Sequence, residues 1–517
     1  EFIFSGLSGS GEDLPTGVTS LGAAANNQLV NSNRIETSLR SVFGRATYSY
    51  DNKYLLTANF RRDESSKLFR SSNPSGDFPS FSAGWRINNE NFMADMAAVS
   101  ELKLRGGWGR LGNQTPLNAF PTDVLLRTDF FYVINGQAVQ GISQSDLANP
   151  DITWEVTEQW DVGLDLGLWD DRLLFTTDYY NRETEDLIIR AAVPPSAGLG
   201  APFVNIGRIR NSGLEFALTY RNYDNDFKYN ISANLTTINN EVLELSGEDV
   251  EIFSGGAVDD LSGTNITRVG DPIGSFYGFV SDGIFQSWDE VYSHARINQA
   301  TGPDGSFNTT ARDAETAISH TAPGDVKWRD VNGDGVVNQD DRQVLGSPIP
   351  DFIYGFTLNL EYKGFDLQAF LQGAHGHQVF NVATRWLEDF RQNFNQGTAA
   401  LDRWTEANPS TTTPRATRSD PNQNILRVSD RYIEDASFLK FRNLTVGYTF
   451  GRNVLQTLNA SRFRVYATVQ NLAVITGYSG LEPEIGSNSS GTALDAGVDR
   501  LIYPQSRNFL VGVQLGF

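Results

Sequence analysis

Phe509-Leu-Val-Gly-Val-Gln-Leu-Gly-Phe517 closes the chain and decides how the rest of it is read. Phe509, Val511, Val513, Leu515 and Phe517 share one face, while Leu510, Gly512, Gln514 and Gly516 share the other. Successive side chains of a strand point to opposite faces. Large apolar residues on one face and mainly small or polar ones on the other describe a strand between oil and water. A strand of a soluble sheet alternates too, so the remaining sequence has to discriminate.

The same alternation recurs along the chain. Tyr54, Leu56, Ala58 and Phe60 alternate with Leu55, Thr57, Asn59 and Arg61. Trp160, Val162, Leu164, Leu166 and Leu168 alternate with Gln159, Asp161, Gly163, Asp165 and Gly167. Leu214, Phe216, Leu218 and Tyr220 alternate with Glu215, Ala217, Thr219 and Arg221. Thirteen strands are expected, at 36–50, 53–62, 79–88, 101–109, 153–168, 172–184, 212–222, 226–240, 351–362, 364–373, 438–450, 462–471 and 509–517. The connections then alternate in length. Short ones fall at 51–52, 89–100, 170–171, 222–226, 363–364 and 451–461, the second with a brief helix around 90–96. Long ones fall at 63–78, 110–152, 185–211, 241–350, 374–437 and 472–508. Transmembrane β-barrels have this asymmetry, with tight periplasmic turns and long extracellular loops. Counting 274–285 as a barrel strand would put a long connection on the periplasmic side, so it is assigned to the outer loop.

Composition agrees with an all-β membrane wall. The 517 residues are 39% hydrophobic and 12% aromatic. No apolar run is long enough for a transmembrane helix, but barrel strands need only half their residues on the lipid side. Aromatics supply the interfacial girdles of barrels. There is no cysteine, so disulfides, zinc–thiolate sites and thiol nucleophiles are excluded. A net charge of −21 argues against a nucleic-acid partner. Glu1-Phe-Ile-Phe has no basic start or apolar core and is not a signal peptide. If the last strand ends in the periplasm, the first must run inward from an outer loop at 1–35. Single-chain bacterial barrels have an even strand number. The expectation is therefore that residues 1–517 form the C-terminal part of a larger transmembrane antiparallel β-barrel.

Several motifs resemble one family. They are Lys53-Tyr-Leu-Leu-Thr-Ala-Asn-Phe-Arg-Arg-Asp-Glu-Ser-Ser, Phe78-Pro-Ser-Phe-Ser-Ala-Gly-Trp-Arg-Ile, and Gly274-Ser-Phe-Tyr-Gly-Phe-Val-Ser-Asp-Gly-Ile-Phe. Then come Gly324-Asp-Val-Lys-Trp-Arg-Asp-Val-Asn-Gly-Asp-Gly, Gly346-Ser-Pro-Ile-Pro-Asp-Phe-Ile-Tyr-Gly-Phe, Tyr362-Lys-Gly-Phe-Asp-Leu, Ser437-Phe-Leu-Lys-Phe-Arg-Asn-Leu-Thr-Val-Gly-Tyr and Val469-Gln-Asn-Leu. In this order they resemble the C-terminal half of SusC/RagA-type TonB-dependent outer-membrane transporters. The resemblance implies a barrel of about 22 strands around a plug, with the plug, the TonB box and about nine strands not in this stretch. It implies substrate capture with a SusD-like surface lipoprotein and release through the plug by the TonB complex. The cargo would be an oligosaccharide or a peptide, and the barrel wall would perform no bond chemistry. The alternatives are a structural or secretion-associated outer-membrane barrel and a soluble calcium-stabilised β-rich adhesin.

One motif carries ligand chemistry. Asp330-Val-Asn332-Gly-Asp334-Gly335-Val336-Val-Asn338-Gln-Asp340-Asp341 follows the calcium-loop pattern D-x-[DN]-x-[DN]-G. Asp330, Asn332, Asp334, the Val336 carbonyl, Asn338 and Asp341 are the expected ligands. Ordinary EF-hands carry Glu at the last position, and Asp is shorter. A metal-free cluster of Asn-Gly and Asp-Gly turns is the plain alternative. His375-Gly-His377 lacks a third ligand, and His294 and His320 are isolated. Ser8-Gly-Ser-Gly11 follows no expected strand and lacks Lys, so it is not a phosphate loop. Trp288, Trp386, Trp404 and Tyr432 are loop aromatics that could stack on a sugar or hold a peptide side chain, or simply pack the loops. Arg61, Asp165, Glu215, Arg221 and Glu361 fall on the lumen face and could line a path or pair with one another.

Overall fold

The computed structural model describes residues 2–8, 29–34, 36–191, 193–245, 250–255, 261, 263–486 and 493–517. Most of the segment 1–35, including residues 9–11 of the glycine-rich run, lies outside them. The main element is a fourteen-stranded antiparallel sheet. Thirteen of its strands follow one path in which neighbours in space are neighbours in sequence. They are β1 Leu39–Tyr50, β2 Tyr54–Ser65, β3 Ser75–Arg86, β4 Val99–Asn113, β5 Glu155–Leu168, β6 Leu173–Glu185 and β7 Arg208–Asn222. β8 Phe227–Thr237, β9 Phe352–Tyr362, β10 Phe365–His375, β11 Phe438–Thr449, β12 Arg462–Thr476 and β13 Asn508–Gly516 complete the path. Each coincides with one of the expected segments.

Several boundaries differ for physical reasons. The segment expected as one strand at 226–240 is broken. β8 pairs with β7 to Thr236 and with β9 to Thr237, after which Asn239–Glu244 pairs with β7 alone. The carbonyl of Thr237 occupies the space a Cβ on Gly213 would need, 1.9 Å away, and the Thr237 hydroxyl accepts from Leu214 N at 2.8 Å. The long connection therefore starts at residue 245, not 241. Several strands also run further toward the long connections than alternation suggests. β2 reaches Ser65, β4 reaches Asn113 and β12 reaches Thr476. Near the ends of β2 and β4, and at the start of β7, charged cross-strand pairs such as Arg62–Asp77, Arg110–Glu158 and Arg208–Glu183 stand in place of an apolar stripe, whereas the end of β12 keeps exposed Val474 and Ile475.

The short connections are tight because their residues accept left-handed backbone. Asp51 and Asn52 have φ of 50° and 53°, and Lys363 has 47°. The connection 87–98 holds two 3₁₀ turns, Ile87–Asn89 and Asn91–Met93, and that at 450–461 an α-helix, Arg452–Leu458. Aromatic rings line this rim: Tyr50–Tyr54–Trp85 in one arc, Tyr220–Tyr229–Phe227–Tyr362 in a second, and Phe365–Tyr448–Phe450–Phe463 in a third. Rings at one rim of a strand wall match the interfacial girdle of barrels.

The sheet's two faces are sorted. Val511 is 82% exposed, Val162 49% and Leu218 43%. On the other face Arg105 joins Asp165 at 3.2 Å to Asp178 at 2.6 Å, and Lys103 reaches Asp165 at 3.5 Å. Arg464 Nε donates to Asp366 at 2.9 Å, and Thr219 and Ser232 share a hydrogen bond of 3.0 Å. A soluble sandwich would bury the apolar face and expose the charged one. This arrangement is the reverse and matches a wall with lipid on its apolar face.

Candidate functional site

The buried apolar residues lie mainly in the long connections. The described residues of segments 245–351, 376–437 and 477–507 fold together into a lobe at the long-connection rim. Phe276, Phe380, Tyr432 and Val498 share one core cluster although they come from all three segments. Phe279, Ile284, Val326, Trp328 and Val337 form a second. Short ladders stitch the lobe. Ser275–Gly278 pairs with Asn265–Thr267 and Gln343–Gly346. Gln378–Asn381 runs antiparallel to Ile433–Asp435 and parallel to Val498–Asp499. The segment 274–285 thus belongs to the lobe and not to the main sheet.

Charges are folded into this lobe with partners. Asp325 is fully buried and takes Arg415 Nε at 2.7 Å and Nη2 at 2.9 Å, with Asn424 Nδ2 at 2.9 Å. Lys440 reaches Glu482 and Glu484, tying β11 to the 477–507 segment. Burial pushes the Asp420 carboxyl up, although Asn424 N and Ile425 N donate to it. Arg427 lies 4.3 Å from the Phe279 ring centre and 5.6 Å from that of Trp328. Burial pulls its guanidinium down to about 10, against the opposing fields of Asp341 and Asp420. The ion pairs were not legible in the sequence, because their partners lie far apart (Lys440–Glu482, 42 residues; Asp325–Arg415, 90) with no spacing rule between them.

The 330–341 segment curls as its sequence suggests. Asp330 Oδ1 and Oδ2 accept from Gly333 N and Gly335 N, each at 2.8 Å. Asn332 Oδ1 accepts from Asp334 N at 2.9 Å, and Asp334 Oδ1 from Val336 N at 2.8 Å. Gly335 has φ of 85°, which a residue with a Cβ resists. Asp341 is fully buried and clamps the ends, accepting from Val331 N at 2.8 Å and Asn338 N at 2.7 Å. Asn338 Oδ1 accepts from Asp340 N at 2.6 Å. The structure brings Asp330, Asn332 and Asp334 onto one turn of chain closed by Asp341. Among the described residues no three His, Asp or Glu side chains converge at metal-binding range. The donor chemistry is oxygen throughout, which suits a hard cation.

The other nominated side chains divide. Tyr432 is fully buried in the first core, its hydroxyl pushed far up by burial, and Trp386 packs against the same core. They are packing residues. Trp288 and Trp404 instead line a common cleft of about 390 Å³ with Glu406 and Arg312. His375 lies against Phe352 and His377 edge-on to Phe438, so the pair does not converge. His377 is buried, its Nε2 is 3.2 Å from the Pro483 carbonyl, and burial holds its pKa down. His294 meets Phe285 edge-on, and His320 contacts Ser319. On the sheet, Arg61 pairs with Asp63 at 2.7 Å, and Arg221 Nε donates to the Asp171 carbonyl at 2.9 Å.

Residues 8–472 match the protein family described as TonB dependent receptor-like, beta-barrel. The chain is 33% identical to TonB-dependent receptor P3 of Formosa agariphila over 488 residues, which is 93% of this chain and 46% of that protein. It is 32% identical to TonB-dependent receptor SusC of Bacteroides thetaiotaomicron, over 93% of this chain and 44% of that one. The fold matches a solved structure of the RagAB peptide transporter with a TM-score of 0.77 at 24% identity, covering 97% of this chain and 50% of that one. The chain spans about half the length of the relatives it matches.

Proposed function

Because this chain belongs to the TonB-dependent receptor-like β-barrel family, we propose that it forms part of the wall and the outer lobe of an active outer-membrane transporter of the SusC/RagA type. The observation that carries this reading is the thirteen-strand path with an exposed apolar face and a charged, internally paired face. Such a wall separates lipid from an aqueous or plug-filled lumen and forms no catalytic constellation. β1 and β13 stand at the two ends of the path. The proposal is that further strands of the same barrel pair with them to complete about 22 and enclose a plug. The short rim then faces the periplasm and the lobe faces the cell exterior. There the lobe meets a SusD-like lipoprotein and an oligosaccharide or peptide cargo, while the TonB complex acts through the plug. The test is uptake by cells producing the complete transporter. Accumulation of its cargo should cease when TonB is deleted, and TonB-independent accumulation would overturn the reading.

We propose that residues 330–341 bind calcium. Asp330, Asn332, Asp334, the Val336 carbonyl, Asn338 and Asp341 would hold it, and the ion would supply rigidity to the lobe. Supporting this are the all-oxygen donor set and the closed turn. The Arg427 guanidinium close enough to Asp341 to feel its charge argues for a modest affinity.

A further inference from the structure

We infer that the cleft between Trp288 and Trp404 is a binding site for a neutral oligosaccharide. The inference rests on the transporter reading above and names a cargo class for its outer lobe.

Both indoles are held in place before any ligand arrives. Trp404 donates its Nε1 to Gln286 Oε1 at 3.1 Å, and Gln286 Nε2 is fixed in turn by the carbonyls of Ile284 at 2.9 Å and Ser410 at 3.1 Å. One side of Trp404 lies against Gly324, where a Cβ would come within 2.4 Å of the ring. Gly324 has φ of 90°, so backbone and contact both demand glycine. Trp288 stacks on Tyr292 with ring centres 6.0 Å apart and planes 20° apart, and the Tyr292 hydroxyl donates to the Ala311 carbonyl at 2.6 Å. Holding aromatic side chains fixed in advance lowers the ordering cost of binding.

The remaining walls state the ligand's chemistry. Pro323 and Pro409 are stiff and carry no side-chain charge. Arg312 and Asp289 neutralise each other at 2.8 Å, and Arg312 Nε is anchored on the Thr309 carbonyl. Among the described residues Glu406 makes no ion pair and presents a carboxylate to solvent. A sugar ring offers an apolar C–H face for an indole and a rim of hydroxyls that donate to carboxylates and accept from a guanidinium. The cleft's volume is in the range of small-ligand sites. A peptide side chain would be better served by an enclosed apolar pocket or by unpaired charges on both walls, and the cleft has neither.

Binding to the full-length protein in detergent tests this, with tryptophan fluorescence and calorimetry as readouts. The probes are maltohexaose, cellohexaose, laminarihexaose and mannohexaose, with a lysine-rich dodecapeptide as the contrast. At least one hexasaccharide should bind. Trp288→Ala should weaken it about tenfold, with Trp288→Phe restoring most of the affinity. Glu406→Gln should weaken it less. Unchanged heat-modifiable migration of each variant shows that the barrel is intact. Hexasaccharide binding that ignores Trp288→Ala, no hexasaccharide binding, or peptide binding sensitive to Trp288→Ala would each overturn the assignment. TonB-dependent uptake is scored separately in cells. Sugar binding without such uptake leaves the site standing and fails the transporter reading, and TonB-dependent peptide uptake without sugar binding does the opposite.

Discussion

The sheet and the lobe solve opposite solvent problems with one chain. In the sheet the large apolar side chains point outward and are exposed, while the charges pair on the inner face. In the lobe Phe276, Phe380, Tyr432 and Trp328 are buried completely, as in a soluble domain. Water drives the lobe to hide apolar area, at roughly 25 cal/mol per Å². Lipid removes that drive from the sheet's outer face and leaves the hydrogen-bond ladder and side-chain sorting to hold it. The same substitution should therefore have different consequences in the two regions.

The largest effect is expected in the lobe. Phe380→Ala opens a hole in the cluster that joins three distant segments, and such truncations cost about 3–5 kcal/mol. Hydrogen exchange across 376–437 should rise together with that across 263–286. The sheet's heat-modifiable migration should persist. Loss of that migration as well would show that lobe and sheet unfold as one unit, and the comparison would break.

The next largest effect is expected on the sheet. Leu218→Arg places a charge on the exposed apolar stripe and should cost about 2–4 kcal/mol on folding into lipid vesicles. Thr219→Arg, one residue on and facing Ser232, should cost clearly less. Asp165 is unsuitable as the inner-face control, since replacing it leaves Lys103 and Arg105 without a partner they share. Equal cost at 218 and 219 would mean the two faces are not lipid and lumen.

What the sequence reveals follows the same division. Period-two alternation finds every strand of the path because lipid imposes one local rule on each of them. It loses the strand ends near Ser65 and Asn113, where the rule lapses and charged pairs such as Arg40–Glu64 and Arg110–Glu158 take over. The break after Thr237 escapes it too, since the cause is the bare Gly213 on the neighbouring strand. In the lobe no local rule operates. Tyr432 and Trp404 look alike in sequence, yet one is core and the other lines a cleft. The difference lies in residues far along the chain, such as Phe380 and Gln286. The turn at 330–341 is legible because its contacts are local.

A titration should sharpen the contrast. His377 is buried under Pro483, with Asp435 and Glu484 drawing its pKa up, His375 pushing it down, and burial dominating. Its folded pKa lies below the unfolded value near 6.5, so the unfolded state binds more protons as pH falls through that value. Lobe stability should be full above about pH 6.5 and decline below it, by at most about 1.4 kcal/mol per pH unit. Asp420 and Asp430 act with opposite sign, because burial raises both and the folded state then takes up protons first. Proteolysis near residue 480 should increase from pH 7.5 to 5.5, and His377→Gln should flatten that increase. An unchanged pH response in His377→Gln would remove the histidine from the account.

The smallest effect is expected from calcium, and only in the lobe. A ligand that binds the folded form alone stabilises it by RT ln(1 + [L]/Kd), about 1 kcal/mol at five times Kd. Extracellular calcium modules have Kd values of roughly 0.1–1 mM, so a few millimolar calcium suffices for the test. Asp330 and Asp334 already accept backbone N–H groups, so the turn has a structure of its own and the ion need only reinforce it. Removing calcium with a chelator should quicken cleavage near residue 330 several-fold. The double variant Asp330→Ala with Asp334→Ala should show that faster cleavage with or without calcium. The sheet's migration should not change in either case. If calcium leaves cleavage of the parent protein unaltered while the double variant is cut faster, the carboxylates act only as turn formers, and the lobe's stability comes from its core alone.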